Sequence, residues 1–197
     1  MIRFASEPDL APMPSDRPAF HLAPLSGGDA DALLAHFLRL DERSRRLRFG
    51  VPVNDAFLVS YVRRATHGPV RRVGLFEGAA LRGVAELHLD PADPSSGEGA
   101  LSLEAGYRRL GHGSRLFDAL LFEAECAGVR RLELQCLREN AAMQRIARRF
   151  AARLSFDGSE TKATIAIPPE PAVLASPEGG LAEAFRALAP VSRRALA

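Results

Sequence analysis

The run from Ala100 to Leu121, Ala-Leu-Ser-Leu-Glu-Ala-Gly-Tyr-Arg-Arg-Leu-Gly-His-Gly-Ser-Arg-Leu-Phe-Asp-Ala-Leu-Leu, constrains the fold more than any other part of this 197-residue chain. Leu101 and Leu103 alternate with Ser102 and Glu104, which is the period of a strand. Gly106, Gly111 and Gly113 then break the pattern, and from Ser114 onward Leu116, Leu120 and Ala124 fall on one helical face. A strand, a glycine turn and a helix together make a seat for an anion. The first-turn N–H groups of a helix have no intrahelical acceptor, and the helix dipole adds about half a positive charge there. Glycine at 111 and 113 lets that backbone approach a phosphate without a Cβ between them. Arg108, Arg109 and Arg115 add charge, so a pyrophosphate is the expected guest. A helix start with no ligand accounts for Gly111 alone. A dinucleotide fingerprint requires glycine where Leu116 stands, and a P-loop requires a Gly-Lys-Ser/Thr that is absent.

Arg130–Arg138 alternates as a second strand, and Asn140 opens a helix with Met143, Ile146, Ala147 and Phe150 on one face. Strand, Arg108-x-x-Gly111-x-Gly113 turn, helix, strand and Asn140 in this order resemble the GNAT superfamily of N-acetyltransferases over residues 19–168, most closely over 81–157. The resemblance implies an α/β (α+β) domain with a mixed, mostly antiparallel sheet, helices on both faces and two splayed central strands. It implies acetyl-CoA as cofactor and no metal. Cofactor contacts carried over are the backbone of Leu101, Ser102 and Leu103, the turn Arg108, Arg109, Leu110, Gly111, His112, Gly113 and Ser114, and the side chain of Asn140 on the pantetheine arm. Asn140 is equally at home as a plain helix N-cap.

The implied reaction is direct attack of a primary amine on the thioester in a ternary complex. It needs a base, a group that polarises the carbonyl, and a proton for the leaving thiolate. In the superfamily a backbone N–H of the strand before the turn polarises the carbonyl, here near Leu101–Leu103. Three glutamates compete as base: Glu98 at the strand head, then Glu86 beside His88 on a neighbouring strand, then Glu104. Each also reads as a solvent-facing sheet residue. The tyrosine that many members use as acid corresponds here to Ala147, and the only tyrosines are Tyr61 and Tyr107. Cys136, without an assigned base, reads as packing. Two functions are therefore expected to compete: an N-acetyltransferase for a small amine or for a protein lysine or N-terminus, and a non-catalytic acyl-CoA-binding regulatory module.

Composition narrows the partners. With 47% hydrophobic residues and a net charge of +2, nothing suggests a nucleic-acid or membrane surface. Basic residues are almost all arginine, Lys162 being the exception, which reads as a compositional habit. Cys126 and Cys136 lack metal or disulfide spacing, so a reducing, cytoplasmic setting is expected. Residues 1–18 read as a Pro-rich mobile arm, 19–168 as the catalytic-type domain, and 169–197 as a Pro-rich linker and short helix. Leu181, Phe185 and Leu188 on that helix leave a homodimer open. Within the domain, a first strand is expected over 19–25, one long helix from Ser26 through Phe49, and a helix from Asn54 to Ala65. Strands are expected over 71–78 and 81–90, followed by a loop over 91–97. A closing hairpin is expected to turn at Asp157-Gly158. The Ser44-Arg-x-x-Arg48-Phe49 run resembles the first-helix region of bacterial protein-acetyltransferase domains; its plain alternative is a solvated basic face.

Overall fold

The computed structural model describes residues 19–65 and 69–168. The expected arm over 1–18 and the expected linker and helix over 169–197 lie outside the described residues. Strands β1 (Phe20–Pro24), β2 (Val70–Glu77), β3 (Ala80–Leu89), β4 (Ser96–Leu103), β5 (Arg131–Leu137), β6 (Arg153–Asp157) and β7 (Glu160–Ala166) form one sheet in the order β1-β2-β3-β4-β5-β7-β6. Among the described strands, β4 and β5 are the one neighbouring pair that runs parallel. Helices α1 (Ala30–Arg39), α2 (Glu42–Phe49), α3 (Asp55–Ala65), α4 (His112–Cys126) and α5 (Ala141–Arg149) complete the domain. The mixed, mostly antiparallel sheet with helices on both faces is the one expected.

Each face of the sheet carries its own core. On one, Leu33 and Phe37 of α1 and Leu58 and Val62 of α3 pack on Leu81 and Val84 of β3. On the other, Leu116, Phe117, Leu120 and Ala124 of α4 pack on Leu75, Ala85, Leu87, Leu132 and Leu134. Strand alternation alone would separate Leu81 from Val84, but Arg82 is an extra residue opposite the Leu75/Phe76 step of β2. That bulge turns both side chains to the α1–α3 core. Close approach of α4 depends on Gly99. A Cβ there would lie 2.7 Å from Leu120 Cδ2 and 2.8 Å from Leu134 Cδ2, so β4 carries glycine where the helix crosses it. On the sheet surface, Lys162 of β7 places Nζ 2.7 Å from Glu133 Oε2 of β5.

Several boundaries differ from the expected ones, each for a local reason. The long first helix is two. Leu40 is extended (φ −69°, ψ 132°) and buried, and Asp41 starts α2 afresh by accepting from the Ser44 N–H and Oγ, both at 2.7 Å. Helix α4 begins at His112 rather than Ser114, because Gly111 at φ 84° is its N-cap. Strand β4 begins at Ser96, within the expected loop: Asp93 accepts from Ser95 and Ser96 and closes the turn early. Glu98 is therefore inside the strand rather than at its head. Helix α5 ends with Ala151 at φ 57°, a left-handed position that usually falls to glycine. The helix capped by Asn54 and the turn with Gly158 at φ 53° match expectation.

Candidate active site

Strand β4 pairs with β5 only from Ser96 to Gly99, while its pairing with β3 continues to Leu103. Beyond Gly99 the two parallel strands part and leave one edge of β4 open. Glu104 N–H donates to Arg82 O at 3.0 Å, which fixes the alternation of the antiparallel ladder. Even-numbered residues of β4 turn their backbone groups to β3, so the N–H groups of Leu101 and Leu103 face the open edge. Arg108 reads that edge too, donating through Nε and Nη2 to Leu103 O at 3.1 and 3.0 Å.

The parting opens into a cleft of about 760 Å3. One wall is Leu101, Ser102 and Leu103; another is the turn Arg108, Arg109, Gly111, Gly113 and Ser114 at the start of α4. Asn140 with Ala142, Met143, Arg145, Ile146 and Arg149 of α5 forms the third, and Leu40, Ser44, Leu47 and Arg48 close the α2 side. Among the described residues, arginines 48, 108, 109, 145 and 149 line the cleft and no carboxylate does. Arg109 adopts φ 62° and is exposed, with no salt bridge to any described residue. Arg108 is tied to protein, since its Nη2 also donates to Ser44 Oγ at 2.5 Å and locks the turn against α2. Asn140 caps α5 by accepting from Met143 N–H at 3.1 Å, and this leaves its amide donors for a ligand.

Nine of the expected cofactor residues thus share one cleft. Leu110 and His112 belong to the same turn but not to its lining: Leu110 points outward, and His112 is buried against the Phe20 ring, with Nδ1 unpartnered. None of the three glutamates lines the cleft. Glu98 is exposed on the α1–α3 side of the sheet, opposite His88. Glu86 is fully buried and bound by Arg48, by Arg72 Nε at 2.8 Å and by Tyr61 Oη at 3.1 Å. Burial pushes its carboxyl up, but the charge of Arg48 and the hydrogen bond from Arg72 outweigh that and hold it below the ordinary carboxylate range. A carboxylate held so firmly ionised is a poor proton acceptor. Glu104 is held likewise, by Arg39 Nε at 2.9 Å, Arg82 Nη1 at 3.3 Å and His36 Nδ1 at 3.3 Å. Tyr61, its hydroxyl engaged with Glu86, is pushed by burial to a pKa of about 12. Tyr107 donates to Glu77 at 2.7 Å, and Ala147 is buried in the core under α5. Burial raises the Cys136 thiol.

Sequence reasoning passed over Arg145 and Arg149, although Ala142, Arg145, Ile146 and Arg149 are spaced as one helical stripe beside the core stripe. It also passed over His36, which reads as one polar residue within the apolar face of α1.

Comparison with known proteins agrees with this architecture. The GNAT domain of S. lividans PAT is 18% identical with a TM-score of 0.65, covering 74% of this chain and 89% of its own. YncA of Salmonella typhimurium, solved with its cofactor acetyl-CoA, is 12% identical with a TM-score of 0.57 over 78% of this chain and 95% of its own. The PaiA N-acetyltransferase of Thermoplasma acidophilum, solved with coenzyme A, is 17% identical with a TM-score of 0.58 over 76% and 99%. These identities speak for the fold alone. A comparison with curated proteins finds no match. The sequence model of the acetyltransferase (GNAT) family matches residues 36–152, which contribute to both cores and contain the parted strands and the glycine turn, and the chain belongs to that family.

Proposed function

We propose that the protein transfers an acetyl group from acetyl-CoA to a primary amine, either a small amine or a protein lysine or N-terminus, by direct attack in a ternary complex. The observation that carries this reading is the cleft at the parting of β4 and β5: arginine-lined, free of carboxylates among the described residues, and ending on the glycine-capped start of α4. Pyrophosphate at that helix start would meet N–H donors, the helix dipole and Arg109, with Arg145 and Arg149 across the cleft. Pantetheine would then lie along the open edge of β4 against Asn140. Its thioester carbonyl would be polarised by the N–H of Leu101 or Leu103. The amine arrives as an ammonium ion and must lose one proton before it attacks. We assign that step to Glu98 through solvent, because Glu86 and Glu104 are each held by two guanidiniums. The reading uses no metal and suits a reducing, cytoplasmic setting.

A second reading has its own observation. Ala147 stands where a tyrosine acid is expected, and both tyrosines are bonded elsewhere, which favours a module that binds acyl-CoA without turnover. Calorimetry with acetyl-CoA, followed by CoA-thiol release against polyamines, aminoglycosides, amino acids and lysine peptides, separates the two. The enzyme reading expects binding and turnover with at least one amine class. It also expects Glu98→Gln to lower kcat/KM by about two to four decades, with partial recovery at high pH. Binding without turnover selects the module, and absence of binding overturns both.

A further inference from the structure

Behind the β4 wall of the cleft stand three polar groups in line. Ser102, which lines the cleft, has Oγ 2.9 Å from His36 Nε2, and His36 Nδ1 lies 3.3 Å from Glu104 Oε1. His36 is fully buried in α1, and Glu104 is 8% exposed just past the end of β4. Burial lowers the affinity of His36 for a second proton more than Glu104 raises it, so the ring is neutral at pH 7. Burial raises the Glu104 carboxyl, but hydrogen bonds from His36 and Arg39 more than reverse this, so it is ionised and can only accept. The ring proton therefore sits on Nδ1, facing Glu104. Nε2 is left as a lone pair, and the Ser102 hydroxyl donates to it. A hydroxyl on a cleft wall, backed by a neutral imidazole and a buried carboxylate, has the order of groups that moves protons in nucleophilic and acid–base catalysis.

We propose that Ser102, His36 and Glu104 form a proton relay that takes the proton released by nitrogen as the new C–N bond forms and returns it to the CoA sulfur as the C–S bond breaks. The relay rests on the acetyl-transfer reading above. Attack by the neutral amine gives a tetrahedral intermediate with a positive nitrogen and an oxyanion, the latter facing the Leu101 or Leu103 N–H. Nitrogen passes one proton to Ser102 Oγ while the hydroxyl's own proton moves to His36 Nε2. The imidazolium is balanced by Glu104. As the intermediate collapses, the electron pair of the C–S bond leaves on sulfur, Ser102 protonates it, and His36 returns its proton to Ser102. One N–H is lost, one S–H is gained, and the protein ends as it began. One group thus serves first as base and then as acid, filling the place left by Ala147. Ser102 touches the reacting atoms; His36 and Glu104 act through it as positioning residues. Arg39 of α1 and Arg82 of β3 fix Glu104 in place, and with Glu86 of β3 they are the other charges acting on the relay.

The test is the pH profile of kcat/KM in the full chain with the amine found active above. Parent enzyme should lose activity as the pH falls and His36 takes up a proton, on an acid limb below the ordinary histidine range near 6.5. Ser102→Ala should lower kcat/KM by roughly two to four decades with acetyl-CoA affinity unchanged, and with a modest fall in Tm because the buried His36 Nε2 loses its donor. His36→Asn keeps a donor for Glu104 but has no Nε2. It should lose activity similarly and abolish the acid limb, whereas Glu98→Gln should retain that limb. If His36→Asn fails to fold, Ser102→Ala alone decides. Ser102→Ala with parental kcat/KM, or His36→Asn with a parental acid limb, overturns the relay while leaving acetyl transfer standing. A parent that binds acetyl-CoA but turns over no amine overturns the proposed function, and the relay with it.

Discussion

Glu86 on β3 and Glu104 just past β4 both meet groups on the helical side of the sheet, Glu86 from α2 and α3 and Glu104 from α1, and their surroundings differ in one respect. Glu104 has a neutral imidazole among its partners, whereas Glu86 has only guanidinium groups and a phenol. The Glu86 cluster is accordingly a fixed strut joining α2, α3, β2 and β3. Removing one member of a buried ion pair leaves the other charge uncompensated, at about 3–5 kcal/mol. Glu86→Gln, which leaves Arg48 without its carboxylate, should lower the urea midpoint accordingly; an unchanged midpoint would show that the cluster carries no stability. At this scale the sequence was partly legible. Glu86 and His88 on one face follows from strand alternation. The partners of Glu86 come from positions 14, 25 and 38 residues away, and no local pattern reports that convergence. Sequence also places Ser102 on a strand and His36 on a helix 66 residues earlier, with nothing to say that they meet.

The strand–turn–helix of β4 and α4 was legible because its period changes from two to three and a half across glycines. The break between α1 and α2 was not, because the apolar stripe runs on through Leu40 while the decisive signal is Asp41 capping Ser44. Gly111 is the hinge of the legible element. At φ 84° with open space around its missing Cβ, it is needed for backbone conformation rather than for packing. Gly111→Asp should cost only about 1–2 kcal/mol of stability through left-handed strain. It also puts a carboxylate where pyrophosphate should sit, so acetyl-CoA affinity should fall far more. Each charge-assisted hydrogen bond to a phosphate oxygen is worth about 1.5–3 kcal/mol, or roughly one to two decades of affinity. Calorimetry giving parental affinity would remove phosphate from the start of α4.

At the scale of the whole fold, three histidines among the described residues are held below their ordinary proton affinity: His36 and His88 by burial, and His112 by burial with Arg115 nearby. Their unfolded counterparts take up protons near pH 6.5, before the folded ones do. Below that pH the unfolded chain binds more protons, so stability is full above about pH 6.5 and declines as the pH falls toward the lowered folded values. The depressed carboxyls of Glu86 and Glu104 act in the same direction, but only at more acid pH. Tm should therefore drop between about pH 7.5 and 5.5, with a shallower drop in His36→Asn; a flat profile would refute the burial argument. Topology was legible where turns are short, as at Glu77–Ala80 and Asp157–Glu160, since these admit only antiparallel neighbours. That two central strands splay came from resemblance, and which strands pair in parallel was not legible, because strand period carries no information on pairing. Acyl thioesters react with neutral amines, and guanidinium groups, always protonated, are inert to them. A chain whose cationic side chains are all arginine except Lys162, with that amine 2.7 Å from Glu133, offers its own cofactor scarcely any side-chain amine to modify, and so is guarded by composition against N-acylation of its own side chains.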